Sequence, residues 1–420
     1  MSSLMTAAEA AKAARGRMTG LRDSKLENLG PELKNIIAGF CDAKSVMNLA
    51  LSGIVFYDHI KRQERPIIKG ILASQIGEDV LRLAAARQET SGWNRIHSPR
   101  SDEEDSKCVT RVMDCYLSRT SPSRANTFSM SLGDVAKLQS FHSVILYYAD
   151  VLSSIALYDA PGPLTEWHAH LPHPINCVSP TEFRRFVKAL YIFELVGNLF
   201  KKEYMHDEDP NMYVANQEFW GHFAPWEQQQ VRCVQTILLR HLSYVVKSPV
   251  ESNFAIYPGL ENLHRNEIAG DLPMMHRVFR GFLGDFQLGR RAWYCGPEDP
   301  WFERSPSGFY VSLDLSETLE KFGEAETGPQ DTWLYLELKP YMDHRAFHPD
   351  EDIHFDCYWC MARWGYVFWS RDKIDWYAPF EMPTTQEMLD LAQDVRVRAD
   401  AFERAVEDRN NGPCLGHEEY

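Results

Sequence analysis

The chain is organised around residues 26–65, which read LENLGPELKNIIAGFCDAKSVMNLALSGIVFYDHIKRQER. Apolar residues recur in this stretch at i, i+3, i+4 and i+7, a spacing that places side chains on one face of a helix. They are Leu33, Ile36, Ile37 and Phe40. Pro31 suits the first helical turn, because the N–H that proline lacks would have no partner there. Glu32 puts negative charge at the positive end of the helix dipole. We therefore predict a helix that begins near Pro31 and ends near Cys41.

Two more short helices are predicted in the same stretch. Asp42 can cap the start of the second helix, and Ser52-Gly53 offers a break after it. The third helix is expected to run from Ile54 towards Arg65, because the residue before Pro66 avoids the helical conformation. The apolar faces of these two helices carry Val46, Leu49, Ala50, Phe56 and Ile60.

A three-helix unit of this size buries too little surface to be stable alone. Its apolar side chains must therefore pack on the rest of the chain, on a partner, or on both. From periodicity alone, an ordinary helical subdomain is the simpler interpretation. Leu29 and Pro31 widen the apolar surface of the first helix beyond one stripe, so we expect part of it to stay exposed until a partner covers it.

The order of residues in this stretch resembles an F-box. The shared features are a leucine–proline opening, an Ile-Ile pair, an aromatic that closes helix one, a polar turn, a leucine-bearing second helix and an aromatic in helix three. Here they are Leu29-Gly30-Pro31-Glu32-Leu33, Ile36-Ile37, Phe40, residues 42–45, residues 46–51 and Phe56-Tyr57. The family usually has proline directly after the leucine, whereas Gly30 separates the two here.

The F-box resemblance implies a function without bond chemistry. The chain would be the substrate-receptor subunit of a cullin-based SCF ubiquitin ligase, and the F-box would bind a small Skp-type adaptor. The rest of the chain would hold an unknown protein substrate. The implied adaptor-binding residues are Leu29, Pro31, Glu32, Leu33, Ile36, Ile37, Phe40, Val46, Leu49 and Phe56. Two alternatives stay open: an F-box scaffold outside any ligase, and an enzyme with its site in the Trp-rich C-terminal region.

The region beyond residue 65 is similar to a large group of F-box proteins of filamentous fungi. The similarity is carried by residues 71–86 (ILASQIGEDVLRLAAA), residues 179–193, Trp226-Glu227, Trp364-Gly365-Tyr366 and Trp369. It implies a mostly helical body that binds an unknown ligand.

Composition narrows the function classes. Lys plus Arg number 44 and Asp plus Glu number 59, so the 420-residue chain has a formal net charge of 44 − 59 = −15 at pH 7. An acidic surface repels phosphates and anionic lipid heads, so we expect neither nucleic acid nor membrane as partner.

The nine cysteines show no framework spacing, and no apolar signal core or long apolar run is evident. These features predict a cytoplasmic or nuclear protein with free thiols.

The remaining pattern predicts a mainly α fold. Helices are expected on both sides of Gly77, over residues 135–152, from the Ser179–Glu182 capping box, from Pro225, over residues 272–283 and from the Thr384–Glu387 capping box. Residues 91–106 and 320–331 are predicted loops. Alternating apolar residues predict a small β-hairpin in the Trp-rich section: Phe309, Val311, Leu313 and Leu315, then Leu334, Leu336 and Leu338.

These patterns divide the chain into four parts. They are a flexible segment 1–23, the F-box 24–65, a helical body 66–284, and a Trp-rich section 285–420 packed on that body. No internal repeat is found, which weighs against leucine-rich or propeller substrate domains.

No motif predicts a metal, a cofactor or a catalytic residue. Cys357 and Cys360 supply two ligands where a zinc site needs four. His168, His170 and His173 lack the helical spacing and the glutamate of a zincin. Phosphate-binding glycine loops and nucleophile elbows are missing from the sequence.

Overall fold

The computed structural model describes residues 28–91, 93, 102–118, 130–158, 177–200, 210–246, 259–269, 315–322, 327–342, 361, 364–377 and 382–390. Most of these residues are helical, and none of them forms a strand. The mainly α fold class is therefore confirmed for this part of the chain.

Fourteen of the helices in the described residues are labelled α1 to α14. They are α1 Pro31–Phe40, α2 Ala43–Ser52, α3 Ile54–Arg62, α4 Glu64–Gln75, α5 Glu78–Thr90, α6 Asp102–Val112, α7 Leu132–Tyr158, α8 Pro180–Leu199, α9 Pro210–Trp220, α10 Pro225–Val246, α11 Leu260–Ala269, α12 Leu315–Phe322, α13 Gly328–Met342 and α14 Arg371–Tyr377. A π-helical turn follows α6 at Met113–Leu117, and a 3-10 turn, Tyr366–Phe368, precedes α14. Residues 385–390 are also helical.

The chain divides into two compact units. The first comprises Met1–Gly92 and Cys115–Val144, and the second comprises Trp93–Asp114 and Ile145–Tyr420. Helices α1 to α5 and the first half of α7 thus belong to the first unit.

The three helices predicted within residues 26–65 are confirmed. Pro31 occupies the first turn of α1, with Gly30 as the capping residue. The Asp42 carboxylate accepts a hydrogen bond of 2.6 Å from the backbone N–H of Ser45 and so caps α2. Gly53 separates α2 from α3. The backbone hydrogen bonds at each of these helix ends are local, which is why the sequence predicts them well.

The predicted boundary at Pro66 is wrong. Helix α3 already ends at Arg62, and α4 begins at Glu64, so Pro66 lies within the first turn of α4. A proline in the first turn costs no hydrogen bond, because the first N–H groups of a helix have no intrahelical acceptor. The break between the helices instead falls at Gln63.

Gly77 separates α4 from α5 as predicted. Its φ of 88° lies in the left-handed region that favours glycine. A Cβ at this position would also lie 2.8 Å from the Asp79 carboxylate, which would have to move aside.

The predicted loop over residues 91–106 is wrong at its acidic end. Residues from Asp102 onward form α6. Acidic residues favour the first turn of a helix because they complement its dipole. The buried Val109 and Val112 give α6 an apolar face, and α6 packs on α9.

Helix α8 is the centre of the second unit. It begins with the predicted capping box, in which Ser179 and Glu182 hydrogen-bond each other's backbone N–H. Its buried residues include Phe186, Leu190 and Phe193, and it packs along α10.

In the Trp-rich section, the 3-10 turn Tyr366–Phe368 packs on α8 and α10, and α13 packs on α10. The rings of Phe186 and Phe368 are stacked with centroids 3.7 Å apart. Arg185 donates to the carbonyl of Phe368, and Gln230 donates to the carbonyl of Val367, each at 2.9 Å.

The predicted β-hairpin is wrong where the structure describes it. Leu334, Leu336 and Leu338 lie in α13, and Leu315 begins α12. Three alternating residues fit either period, whereas Pro329 in the first turn favours a helix. The predicted loop over 320–331 is also shorter in the structure, because residues 320–322 and 328–331 are helical. Phe309, Val311 and Leu313 lie outside the described residues.

The last capping box is confirmed. The Thr384 N–H donates to Glu387 at 2.7 Å, and the Glu387 N–H donates to the Thr384 hydroxyl at 3.2 Å. Residues 385–390 are helical. The continuation of that helix past 390 and the predicted helix over 272–283 fall outside the described ranges.

One described helix, α7, is long and apolar enough to cross a membrane. Half of its most apolar 18-residue window is buried inside the protein, and a buried core helix meets the same criterion. Helix α7 therefore does not indicate a membrane protein.

Candidate functional site

Helix α1 turns its large apolar side chains to solvent. Leu33 is 51% exposed, Ile36 55%, Ile37 37% and Phe40 81%, and Ala38 is the residue of α1 that is buried. The expected exposure of this surface is thus confirmed. We call these four residues the α1 face.

Helix α1 points its apolar stripe away from the core, the opposite of an ordinary surface helix. At about 100° per residue, the four side chains of the α1 face fall within an arc of about 100°. Lys34, Asn35, Ala38 and Gly39 occupy the opposite side, and all four are buried or half-buried. A surface helix ordinarily turns its apolar stripe towards the core. The reversal leaves a charge-free apolar strip on the surface, and such strips mark interaction sites.

Small and polar groups hold α1 against α3 and α4. A Cβ on Gly70 would lie 3.6 Å from the Cα of Gly39, so the backbones of α1 and α4 approach closely. The Ser74 hydroxyl donates to the Gly39 carbonyl at 3.3 Å. The His59 ring donates through Nε2 to Asn35 Oδ1 at 2.9 Å.

Lys34 places a positive charge near the contact between α1 and α3. The ammonium of Lys34 lies 5.9 Å from the centre of the Phe56 ring. Desolvation, and next the charge of Lys34, lower the pKa of His59. The lowered pKa favours the neutral ring at pH 7, and the tautomer with its proton on Nε2 donates to Asn35.

The other predicted adaptor-binding residues divide into two groups. Pro31 and Glu32 are exposed in the first turn of α1, and Leu29 is half-buried. Val46 and Phe56 are buried and Leu49 is half-buried. Val46 and Phe56 thus lie in the core of the unit, where they support the surface rather than form it.

Sequence reasoning missed two exposed residues and one contact. Leu51 and Val55 are exposed at the corner between α2 and α3. Leu51 lies about 140° around α2 from the buried Val46, and this offset was a usable signal. The pairing of Asn35 with His59 spans 24 residues, and no local pattern predicts it.

A polar cluster in the second unit joins three helices. Glu267 on α11 accepts hydrogen bonds at 2.9 Å from Tyr147 of α7 and from His241 of α10, and one at 3.1 Å from Tyr148. Both carboxylate oxygens are thus engaged. These donors lower the pKa of Glu267 against the opposing effect of its burial. Burial and the bond to Glu267 raise the pKa of Tyr147 to about 12, so its hydroxyl stays protonated at neutral pH and donates. The three hydrogen bonds make the cluster a joint between α7, α10 and α11.

A second joint connects α8 to α14. The buried Glu182 accepts from Lys373 at 2.7 Å and from the backbone N–H of Ser370 at 2.9 Å. Burial alone would raise its pKa, but hydrogen bonds from Lys373 and from the N–H groups of Ser179 and Ser370 lower it. Glu182 thus caps its own helix and also holds the start of α14.

The described tryptophans of the C-terminal section mostly fill the core. Trp333, Trp364 and Trp369 are buried, and the Trp369 indole donates to the Trp364 carbonyl at 3.0 Å. Trp376 is about half exposed. Large buried aromatics of this kind are first of all packing residues.

No metal centre is found in the part of the chain that the structure describes. It contains no group of three His, Cys, Asp or Glu side chains that could hold a metal ion. Cys357, Cys360, His168, His170 and His173 all lie outside it.

Comparison with known proteins was uninformative. No family model matches the chain, and no curated protein or solved structure is detectably similar to it. The likeness to F-box proteins therefore rests on the residues quoted for it.

Proposed function

We propose that this protein is the substrate-receptor subunit of an SCF ubiquitin ligase and that its α1 face binds a Skp-type adaptor. The observation that carries the proposal is the outward orientation of Leu33, Ile36, Ile37 and Phe40. A helix that exposes its apolar face is stabilised when a partner covers it. These four residues are among the ten that the F-box resemblance assigns to the adaptor.

The rest of the proposal follows from the architecture of such ligases. The adaptor links the F-box to a cullin, and the rest of the chain beyond the F-box holds a protein substrate. The protein performs no bond chemistry. It raises the effective concentration of substrate lysines near a charged conjugating enzyme. This function places it in the cytoplasm or the nucleus, without a cofactor.

A double substitution on the α1 face tests the proposal. Burying one Leu, Ile or Phe side chain contributes roughly 1.5–3 kcal/mol, and a buried carboxylate adds a desolvation cost. Ile36→Asp with Phe40→Asp should therefore weaken adaptor binding by at least about a thousandfold. Both side chains point to solvent in the free chain, so its fold should be retained. The measurement is calorimetric titration with a purified Skp-type adaptor, with circular dichroism to check the fold.

Val214→Asp is the matched control. Val214 is half exposed on α9, in the second unit, so this variant should bind the adaptor like the wild type. Undiminished binding by the well-folded double variant would refute the role of the α1 face. A wild-type chain that binds no Skp-type adaptor would refute the proposed function. Adaptor binding without cullin in a native pull-down would instead support a scaffold outside the ligase.

A further inference from the structure

Four exposed cations lie close together where α3 ends and α4 begins. They are Lys61, Arg62, Arg65 and Lys69, and we call them the basic patch. Residues 54–75 hold these four basic residues and two acidic ones, a balance of 4 − 2 = +2, whereas the whole chain has a net charge of −15. Positive charge is therefore concentrated at this corner of an acidic protein.

The cations of the basic patch are not neutralised by the protein itself. The side chains of Arg62, Arg65 and Lys69 make no ion pair or hydrogen bond in the part of the chain that the structure describes. The Lys61 ammonium lies 5.8 Å from the centre of the Tyr57 ring, a contact that leaves its charge without a carboxylate.

The two acidic residues of this segment do not offset the patch. The Glu64 carboxylate accepts a hydrogen bond of 3.2 Å from the backbone N–H of Leu132. It therefore holds the start of α7 and pairs with none of the four cations. Asp58 is exposed on α3 and makes no ion pair with Lys61 or Arg62.

The cations on α4 work against the stability of their own helix. Arg65 lies in the first turn of α4, where the helix dipole disfavours positive charge. Lys69 follows four residues later, so two like charges are neighbours on one face of the helix. Lys61 and Arg62, in contrast, lie in the last turn of α3, where cations complement the dipole. Stability thus accounts for the α3 half of the patch but not for the α4 half, and such departures are expected at functional sites.

We propose that the basic patch binds a short acidic segment of a partner protein. The guanidinium groups of Arg62 and Arg65 can each hold one carboxylate through two parallel hydrogen bonds, and the two lysines add compact positive charges. This second surface does not depend on the proposed function.

The charge of the chain favours a short acidic segment over a longer polyanion. The attraction of the patch is screened beyond about 10 Å at 0.1 M salt. A short Asp- or Glu-rich segment can meet the patch alone. A nucleic acid or a membrane also meets the acidic remainder of the chain, which repels it.

Fluorescence anisotropy tests this site. A fluorescein-labelled hexaglutamate peptide is titrated with the full chain at about 50 mM salt, where screening is moderate. The peptide should bind saturably. Arg65→Glu with Lys69→Glu should weaken binding by at least about tenfold, because two attractive contacts become repulsive. Absence of saturable binding by the wild-type chain would overturn the proposal.

Lys107→Glu with Arg265→Glu is the matched control. It also exchanges one lysine and one arginine, both exposed and both in the second unit, so the change in net charge is the same. This variant should bind the peptide within about twofold of the wild type, because charges beyond the screening length contribute little. An equal loss of binding in the two double variants would mean that total charge attracts the peptide, and it would refute the patch.

Arg65→Glu alone separates binding from stability. Glutamate in the first turn of α4 complements the helix dipole and can pair with Lys69 four residues on. The urea midpoint of this variant should therefore equal or exceed that of the wild type, while peptide binding falls by about threefold or more. A lower midpoint would show that Arg65 supports the fold, and it would refute the assignment of Arg65 to a partner.

Two other polyanions test the class of partner. Fluorescein-labelled oligothymidylate and phosphatidylcholine vesicles with about one third phosphatidylserine should bind the full chain more weakly than the peptide does, because the acidic chain repels extended negative surfaces. Tighter binding to either of them than to hexaglutamate would overturn the acidic segment as the partner.

Discussion

Helices α1 and α8 use their apolar residues in opposite ways. Helix α8 buries side chains around most of its circumference, including the charged Glu182, Arg185 and Glu194. Helix α1 buries Ala38 and exposes its largest side chains. The polar groups of α8 that cap and join other helices lie inside the fold, whereas the apolar groups of α1 lie outside it. The comparison indicates that α8 organises its unit and that α1 is available to a partner.

The largest expected effect comes from truncating one aromatic ring in each helix. Phe186→Ala removes the stack with Phe368 and the neighbouring Trp369, whose ring centroid lies 5.8 Å away. It should lower the free energy of unfolding by about 3–5 kcal/mol. Phe40→Ala should change it by less than about 0.5 kcal/mol, because surface truncations cost little.

Urea unfolding of both variants, followed by tryptophan fluorescence and circular dichroism, measures this difference. Comparable losses of stability in the two variants would mean that α1 belongs to the core as fully as α8 does.

A smaller effect is expected from the joint between α8 and α14. Lys373→Met leaves the buried carboxylate of Glu182 without its cation and also removes the ammonium that lies over the Trp369 ring. Removing one partner of a buried ion pair should cost about 3 kcal/mol. Lys137→Met is the control, because Lys137 is exposed and lies 4.0 Å from Asp134, and such surface pairs contribute under about 1 kcal/mol. Differential scanning calorimetry distinguishes them, and equal melting temperatures for the two variants would contradict the role of the joint.

The smallest expected effect is acid sensitivity of the first unit. Burial lowers the pKa of His142 on α7 below the ordinary value of 6.5, against the opposing contributions of the Gln75 backbone and Asp79. The unfolded chain therefore takes up the proton first as the pH falls. The stability that the neutral ring supports is fully present above pH 6.5 and declines below it, by at most about 1.4 kcal/mol per pH unit.

Amide exchange of α4 between pH 7.5 and 5, corrected for intrinsic rates, measures this decline. His142→Gln should flatten it, because glutamine does not titrate in this range. An unchanged pH dependence in that variant would show that other groups cause the decline. The exchange of α8 serves as the internal comparison.

Local features of the fold are predicted well from the sequence. The caps at Asp42, Ser179 and Thr384, the break at Gly77 and the starts of α1, α8 and α10 depend on hydrogen bonds within a few residues. The errors arise where one local signal fits two structures. Proline at position 66 suits a helix end or a first turn, and alternating leucines in α13 suit a strand or a helix.

In the candidate site, too, the sequence predicts the local feature, and packing decides the rest. The sequence by itself determined that Leu33, Ile36, Ile37 and Phe40 share one face of a helix, because helical periodicity is a property of the local backbone. It predicted that part of this face stays exposed, but it did not determine that all four side chains point to solvent. Only the tertiary structure decided that, through the close approach of Gly39 to Gly70 and the bond from His59 to Asn35. Burial is set by residues distant in sequence, so the orientation of α1 follows from packing and not from its own pattern.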